Sequence, residues 1–287
     1  MSLRHAASVL LLATSLIACG GAPSDAPDAR VVPDGGVAAD ASQLDASVAD
    51  AAVLDGAAPR DGGSEADGAV ASDAGFDPLL VIAGECGVLD TELSDALPHW
   101  VQSSSTFASG FMRSEAMRLS AGAQTILSEG TAGGSSGYSE AFAFEVLHRC
   151  EGAALVATET MIRYSVPMPG AITDILVEIG GERIGVSVTR AVTVTGMCMR
   201  ADTFSAAAAT DLLTRKLEGI NESSMLVAPE DAWTKQILFV YADTEAHASE
   251  LMSAWSTLDD ALRADTILYV SVSESADAFI YFEDRCP

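Results

Sequence analysis

Much of the N-terminal quarter of this chain is built from residues that cannot make a core. Residues 20–78 consist almost wholly of Ala, Asp, Gly, Val, Ser and Pro, with Phe76 as their one aromatic side chain. Aspartates recur at Asp40, Asp45, Asp50 and Asp55, and again at Asp61, Asp67 and Asp73. A step of five or six residues walks around a helix instead of forming a stripe, so no amphipathic face results. Regular aspartates are also a calcium signature, but the compact glycine turns of calcium-binding repeats are missing. So little apolar surface cannot offset the entropy of ordering the backbone. The segment therefore reads as a disordered acidic tether with an r.m.s. reach on the order of 45 Å. Folding is confined to residues 79–287, a length that suits one domain with a full core.

The segment before the tether, MSLRHAASVLLLATSLIAC, carries Arg4 and His5 and then an apolar run from Val9 to Ile17. That run is too short to span a bilayer and has the layout of a signal peptide over residues 1–18. Leu16-Ile17-Ala18-Cys19 resembles a bacterial lipobox. The resemblance implies lipidation of Cys19, which would become the mature N-terminus. Acyl chains contribute roughly 0.8 kcal/mol per buried methylene, so several chains on one cysteine anchor firmly. The expected location is the cell envelope, on the extracytoplasmic side, with the membrane as partner through the lipid.

Charge and cysteine usage bound the domain further. Of the formal net charge of −26, Arg4 and the tether's two arginines and twelve acids leave −17 on residues 79–287. A nucleic-acid partner is disfavoured, because binding a phosphate backbone rests largely on Lys and Arg. Four cysteines lie in the domain, Cys86, Cys150, Cys198 and Cys286. An even count in an exported chain points to disulfides, and four cysteines allow three pairings. The expected pairs are Cys86–Cys150 and Cys198–Cys286. No CxxC pair occurs, which argues against a zinc knuckle.

Residues 79–138 form a leader with short apolar pieces, helical over 113–120 and 123–128. The stretch 130–138 is a glycine-rich loop. Ser139 is then placed to cap the helix EAFAFEVLHRCEG, which Gly152 closes. A β-rich run follows over 154–166, and Pro167, Pro169 and Gly170 break it. Strands over 172–179 and 183–195 flank Gly180-Gly181, a strong hairpin signal. Residues 201–220 are helical, with Leu213, Leu217 and Ile220 on one stripe. A strand at 235–243, a helix at 245–265, a strand at 266–273 and a short strand AFIYFED complete the pattern. Three successive strands suggest a meander, and the later alternation suggests crossovers onto the same sheet. The predicted class is α/β, a mixed sheet flanked by helices.

This order resembles the core of the PD-(D/E)xK nuclease superfamily, a restriction-endonuclease-like αβββαβ arrangement over residues 139–287. Members carry a metal-binding Asp at the start of the second core strand, a Glu-x-Lys on the third, and often an acid on the first helix. Asp174 matches the first position, and Glu140 resembles the helical acid, with Glu145 as the alternative. The phrases YSEAFAFEVLHRCEGA, TDILVEIGGERIGVSVTRA and WTKQILFVYA also resemble a small uncharacterised family found in lipoproteins and in some eukaryotic proteins. That likeness names no activity.

The departure lies in the third strand. Aligning the hairpin puts Ser187 where the glutamate belongs and Thr189 where the lysine belongs, with Arg190 adjacent on the opposite face. A neutral hydroxyl is a poor Mg²⁺ ligand, and a threonine supplies no positive charge to a phosphate. Lys216, Lys235 or, in another register, Glu182 would have to compensate. The structural alternatives are a plain β-hairpin at Asp174, Ser187 and Thr189 and a helix-dipole partner at Glu140. The expectation is a lipid-anchored binding or interaction protein whose nuclease-like site is reduced. The rival is a nucleic-acid phosphodiesterase using Glu140 and Asp174 to hold Mg²⁺ or Mn²⁺ and a relocated lysine.

Other chemistry finds less support. Gly133-Gly134-Ser135-Ser136-Gly137 matches G-x-S-x-G, but no strand leads into it as a hydrolase elbow requires. The histidines, His5, His99, His148 and His247, are isolated, without the spacing of a triad or a zinc pair. Trp233 and Trp255 sit in apolar surroundings and read as core.

Overall fold

The computed structural model describes residues 79–131, 136–166 and 170–286. The signal segment, Cys19 and the tether lie outside the described residues, as do Gly133, Gly134, Ser135, Pro167 and Pro169.

The fold is mixed α/β, a seven-stranded sheet flanked by helices. Its central motif is the predicted one. Helix α2 (Gly137–Glu151) leads into strands β3 (Ala154–Thr158), β4 (Ile175–Ile179) and β5 (Glu182–Ala191), and α3 (Ala206–Leu226) then crosses to β8 (Lys235–Ala242). Helix α4 (Glu245–Thr257) leads to β9 (Ile267–Ser275). The strand order is β1-β2-β9-β8-β5-β4-β3, where β1 is Leu80–Gly84 and β2 is His99–Phe107. Strands β2, β9, β8 and β5 run parallel to their neighbours in that series, and β1, β4 and β3 join antiparallel.

Alternation along β8 explains why helices cover both faces. Ile237, Phe239 and Tyr241 enter one core with Phe107, Phe142 and Phe279, beneath α2. Leu238, Val240 and Ala242 enter the other, against Leu213, Leu217, Leu251 and Trp255 of α3 and α4. All eight residues of β8 are buried, and from Ile237 to Ala242 the strand reads as a continuous apolar run. The turn between β4 and β5 uses Gly180 at φ 61° and Gly181 at φ 89°. Both lie in the left-handed region that a two-residue hairpin of this kind requires.

Several boundaries depart from the sequence expectation. The segment AFIYFED is helix α6 (Ala278–Phe282) followed by a 3₁₀ turn, not a strand. Phe279, Ile280 and Tyr281 are all buried, and so short an apolar run carries no periodicity that separates helix from strand. The 154–166 run stops pairing as a strand at Thr158, and Tyr164 makes a lone antiparallel bridge to Val227. The 183–195 strand ends at Ala191, and a separate hairpin follows, β6 (Val194–Gly196) with β7 (Met199–Arg200). The helix over 245–265 breaks at Leu258, leaving the short α5 (Asp260–Arg263). Helix α2 begins two residues before Ser139, whose hydroxyl donates to the Ser136 carbonyl at 2.9 Å instead of capping. Helix α1 (Ala121–Glu129) follows a 3₁₀ turn over Arg113–Arg118. Both expected disulfides form, Cys86–Cys150 and Cys198–Cys286.

Candidate functional site

Strand β5 is longer than its partner β4, and the site is a consequence of that mismatch. The β4–β5 ladder runs from Ile179↔Glu182 to Ile175↔Val186. Beyond Val186, β5 continues to Ala191 with only β8 beside it. Asp174 occupies the vacated edge. Its N–H donates to the Val186 carbonyl at 3.2 Å, and its Oδ2 accepts the Val188 N–H at 2.5 Å. The carboxylate thus takes the place of the strand carbonyl that β4 no longer supplies.

Two further carboxylates share this neighbourhood electrostatically. Glu140, in the first turn of α2, is only 2% exposed. Burial pushes its pKa up to about 8, with the Asp174 carboxylate as the next cause; the Ser136 hydroxyl and Arg190 oppose the shift. Asp174 is raised to about 6, again chiefly by burial; the Lys216 ammonium and the Val188 N–H hold it down, and Glu159 adds repulsion. Lys216 Nζ donates to the Val188 carbonyl at 3.4 Å. Asp174 and Lys216 therefore grip the N–H and the carbonyl of one residue.

The faces of β5 separate the remaining candidates. Ile184, Val186 and Val188 belong to the core beneath α2, whereas Ala191 belongs to the core beneath α3. A Cβ on Gly185 would meet the Trp233 ring at 2.9 Å. Alternation puts Ser187 and Thr189 on that second face with Gly185 and Ala191. Ser187 is 6% exposed. Arg190 lies with Val188 on the α2 side, where its Nη1 donates to the carbonyls of Ile280 at 3.3 Å and Tyr281 at 3.4 Å. Burial lowers the Arg190 pKa, and the charges of Glu283 and Glu140 oppose that.

Three alternatives take structural roles elsewhere. Glu145 accepts from Arg149 Nε at 2.8 Å and from the Ser120 N–H at 2.9 Å, fastening the start of α1 to α2. Lys235 lies at the opposite end of the sheet and is bound to Asp95 at 2.7 Å. Glu182, beside the turn, accepts from the Thr234 hydroxyl at 2.8 Å. Of the possible substitute cations, Lys216 is the one beside Asp174. Sequence reasoning missed Glu159 and the backbone of Val188; no motif marks either, and only the overhang of β5 brings them in.

The donor set does not fit a Mg²⁺ or Mn²⁺ centre. Among the described residues, no group of three or more His, Cys, Asp or Glu side chains is placed to hold a metal ion. One Asp174 oxygen is engaged by the Val188 N–H. The β5 positions facing α3 carry neutral hydroxyls, which such ions accept poorly.

No family model matches the chain, and no solved structure matches it. It is similar to the AAC-rich mRNA clone AAC4 protein of Dictyostelium discoideum, 38% identical over 163 residues. The match covers 55% of this chain and 23% of that protein.

Proposed function

We propose that this chain is a lipid-anchored, extracytoplasmic binding protein whose domain keeps a PD-(D/E)xK-like scaffold without its phosphodiester chemistry. The observation that carries the reading is on β5, where Ser187 and Thr189 stand at the positions that chemistry would fill with a carboxylate and a lysine. The αβββαβ order, with Asp174 at the start of β4 and Glu140 on α2, supports the scaffold. The two disulfides support export to an oxidising compartment. Lipidation of Cys19 would place the domain on a tether at a membrane surface.

A second reading has one observation in its favour, the position of Lys216 beside Asp174. On that reading the lysine has moved from β5 to α3, and the protein cleaves nucleic acid. Calorimetric titration of the purified protein with Mg²⁺ and Mn²⁺, paired with DNA and RNA cleavage assays, decides between them. Neither metal binding nor cleavage is expected. Cleavage that disappears in Asp174→Asn and Lys216→Met would replace the binding reading with the nuclease one. For the anchor, Cys19→Ser should release the protein from membranes, and retention would sink that part of the proposal.

A further inference from the structure

Beyond the last paired residues of β4, the free end of β5 forms one wall of a concavity of about 480 Å³. Small-molecule sites span roughly 300–1,000 Å³, so the space suits a compact ligand. Strand β5 contributes Thr189 and Arg190, and the first half of α3 contributes Leu212 and Arg215. Phe204 and Tyr281 add aromatic surface. The β6–β7 hairpin forms a further wall through Val194, and the Cys198–Cys286 disulfide ties that hairpin to the segment after α6.

Charge is distributed unevenly here. The domain is strongly acidic, yet this lining includes two arginines, Arg190 and Arg215. Arg215 is solvent-exposed and, among the described residues, forms no ion pair. Arg190 is held by the carbonyls of Ile280 and Tyr281 and is flanked by the charges of Glu283 and Glu140, which leaves Arg215 to supply the cation that a ligand meets. Asp211 on the same wall and the net acidity of the domain oppose a long polyanion much more than a small one, because repulsion grows with ligand charge. Guanidinium groups favour planar or tetrahedral oxyanions, which they engage with paired N–H donors.

We infer that this concavity binds a small organic anion. Its carboxylate or phosphate group meets Arg215 and the Thr189 hydroxyl, and its apolar body lies against Phe204, Leu212 and Tyr281. The inference rests on the binding reading above, for which it names the ligand class.

The test is calorimetric titration of the full chain in EDTA with phenyl phosphate, benzoate, inorganic phosphate and, as a cationic control, benzylamine. Saturable binding of phenyl phosphate or benzoate is expected, with inorganic phosphate weaker and benzylamine silent. Preference between the two aromatic probes tells a phosphate head from a carboxylate head. Arg215→Ala should weaken binding about tenfold, the effect of one charge-assisted hydrogen bond. Thr189→Val should weaken it less, and circular dichroism checks that both variants keep the fold. No saturable binding of either aromatic anion, binding unchanged in both variants, or a preference for benzylamine would overturn the inference. Because EDTA removes divalent ions, that failure is separable from the fate of the scaffold proposal. Metal-dependent cleavage would overturn the non-catalytic reading and leave the anion titration to stand or fall alone.

Discussion

The two ends of the parallel strands treat buried charge in opposite ways. At the start of β8, Lys235 is almost wholly buried, and its ammonium donates to Asp95 Oδ1 at 2.7 Å, the Leu97 carbonyl at 2.8 Å and the Asp95 carbonyl at 3.0 Å. Asp95 also accepts from His99 at 2.7 Å, and Lys235 with His99 holds its carboxyl well below the usual range. Every donor on that ammonium has an acceptor, as a structural ion pair requires. At the far end of β5, Glu140 and Asp174 are both raised, and their cationic neighbours do not offset burial. Perturbed acids of this kind cluster at functional sites in proteins generally.

The largest test of this contrast removes the satisfied charge. Lys235→Met takes the ammonium away from Asp95 and from the Leu97 carbonyl and should lower stability by about 3 kcal/mol in urea titration. A loss below about 1 kcal/mol would mean that this end is no better compensated than the other.

Next comes pH. Glu140 and Asp174 hold protons more tightly folded than unfolded, so they stabilise the protein at low pH. That contribution is lost as pH rises, from the ordinary carboxylate range through about 6 for Asp174 and about 8 for Glu140. The unfolding free energy is expected to fall steadily between pH 4.5 and 8. Glu140→Gln should flatten the curve above pH 6. Asp95, with its lowered pKa, acts with the opposite sign, losing stability only on acidification below the ordinary range. Urea midpoints that stay level from pH 5 to 8 would remove the contrast.

A smaller effect follows from the backbone contact. Asp174→Ala leaves the Val188 N–H without its acceptor and should cost about 1 kcal/mol, partly offset by relief of Glu140. Carboxyl NMR should show Glu140 moving toward its ordinary value in that variant. An unmoved Glu140 would show that the two acids do not interact. Smallest of all, Asp260→Ala removes a surface partner of Arg263 whose side chain is 87% exposed. It should change stability by no more than about 0.5 kcal/mol, and a larger change would blur the distinction between buried and surface charge.

The legible parts of the fold were those where one physical signal dominated. The Gly180-Gly181 turn, the apolar run of β8 and the stripe on α3 each specify an element locally. Strand β2 was not legible, because its inward positions include Ser103 and Ser105. The Ser105 hydroxyl is satisfied by Ser271 at 2.7 Å, across a pairing between residues far apart in sequence. Helix α6 failed for a related reason. Arg190 accepts the task of capping its terminal carbonyls, and no local pattern announces that. At the site, Asp174 and Glu140 were visible through family resemblance, whereas Arg215 and Phe204 carry no motif. Only tertiary packing gathers them.

The order of strands in the sheet has a kinetic meaning as well. Strand β9 follows every other strand of the sheet in sequence, yet it sits between β2 and β8. Until residues 267–275 are available, β1–β2 and β3–β8 are separate pieces, each with an open edge that can recruit a neighbouring chain. The central joint is thus a late, non-local event, of the kind that slows folding and exposes nascent sheets to aggregation. A chain that stalls before β9 should be this protein's most hazardous folding intermediate.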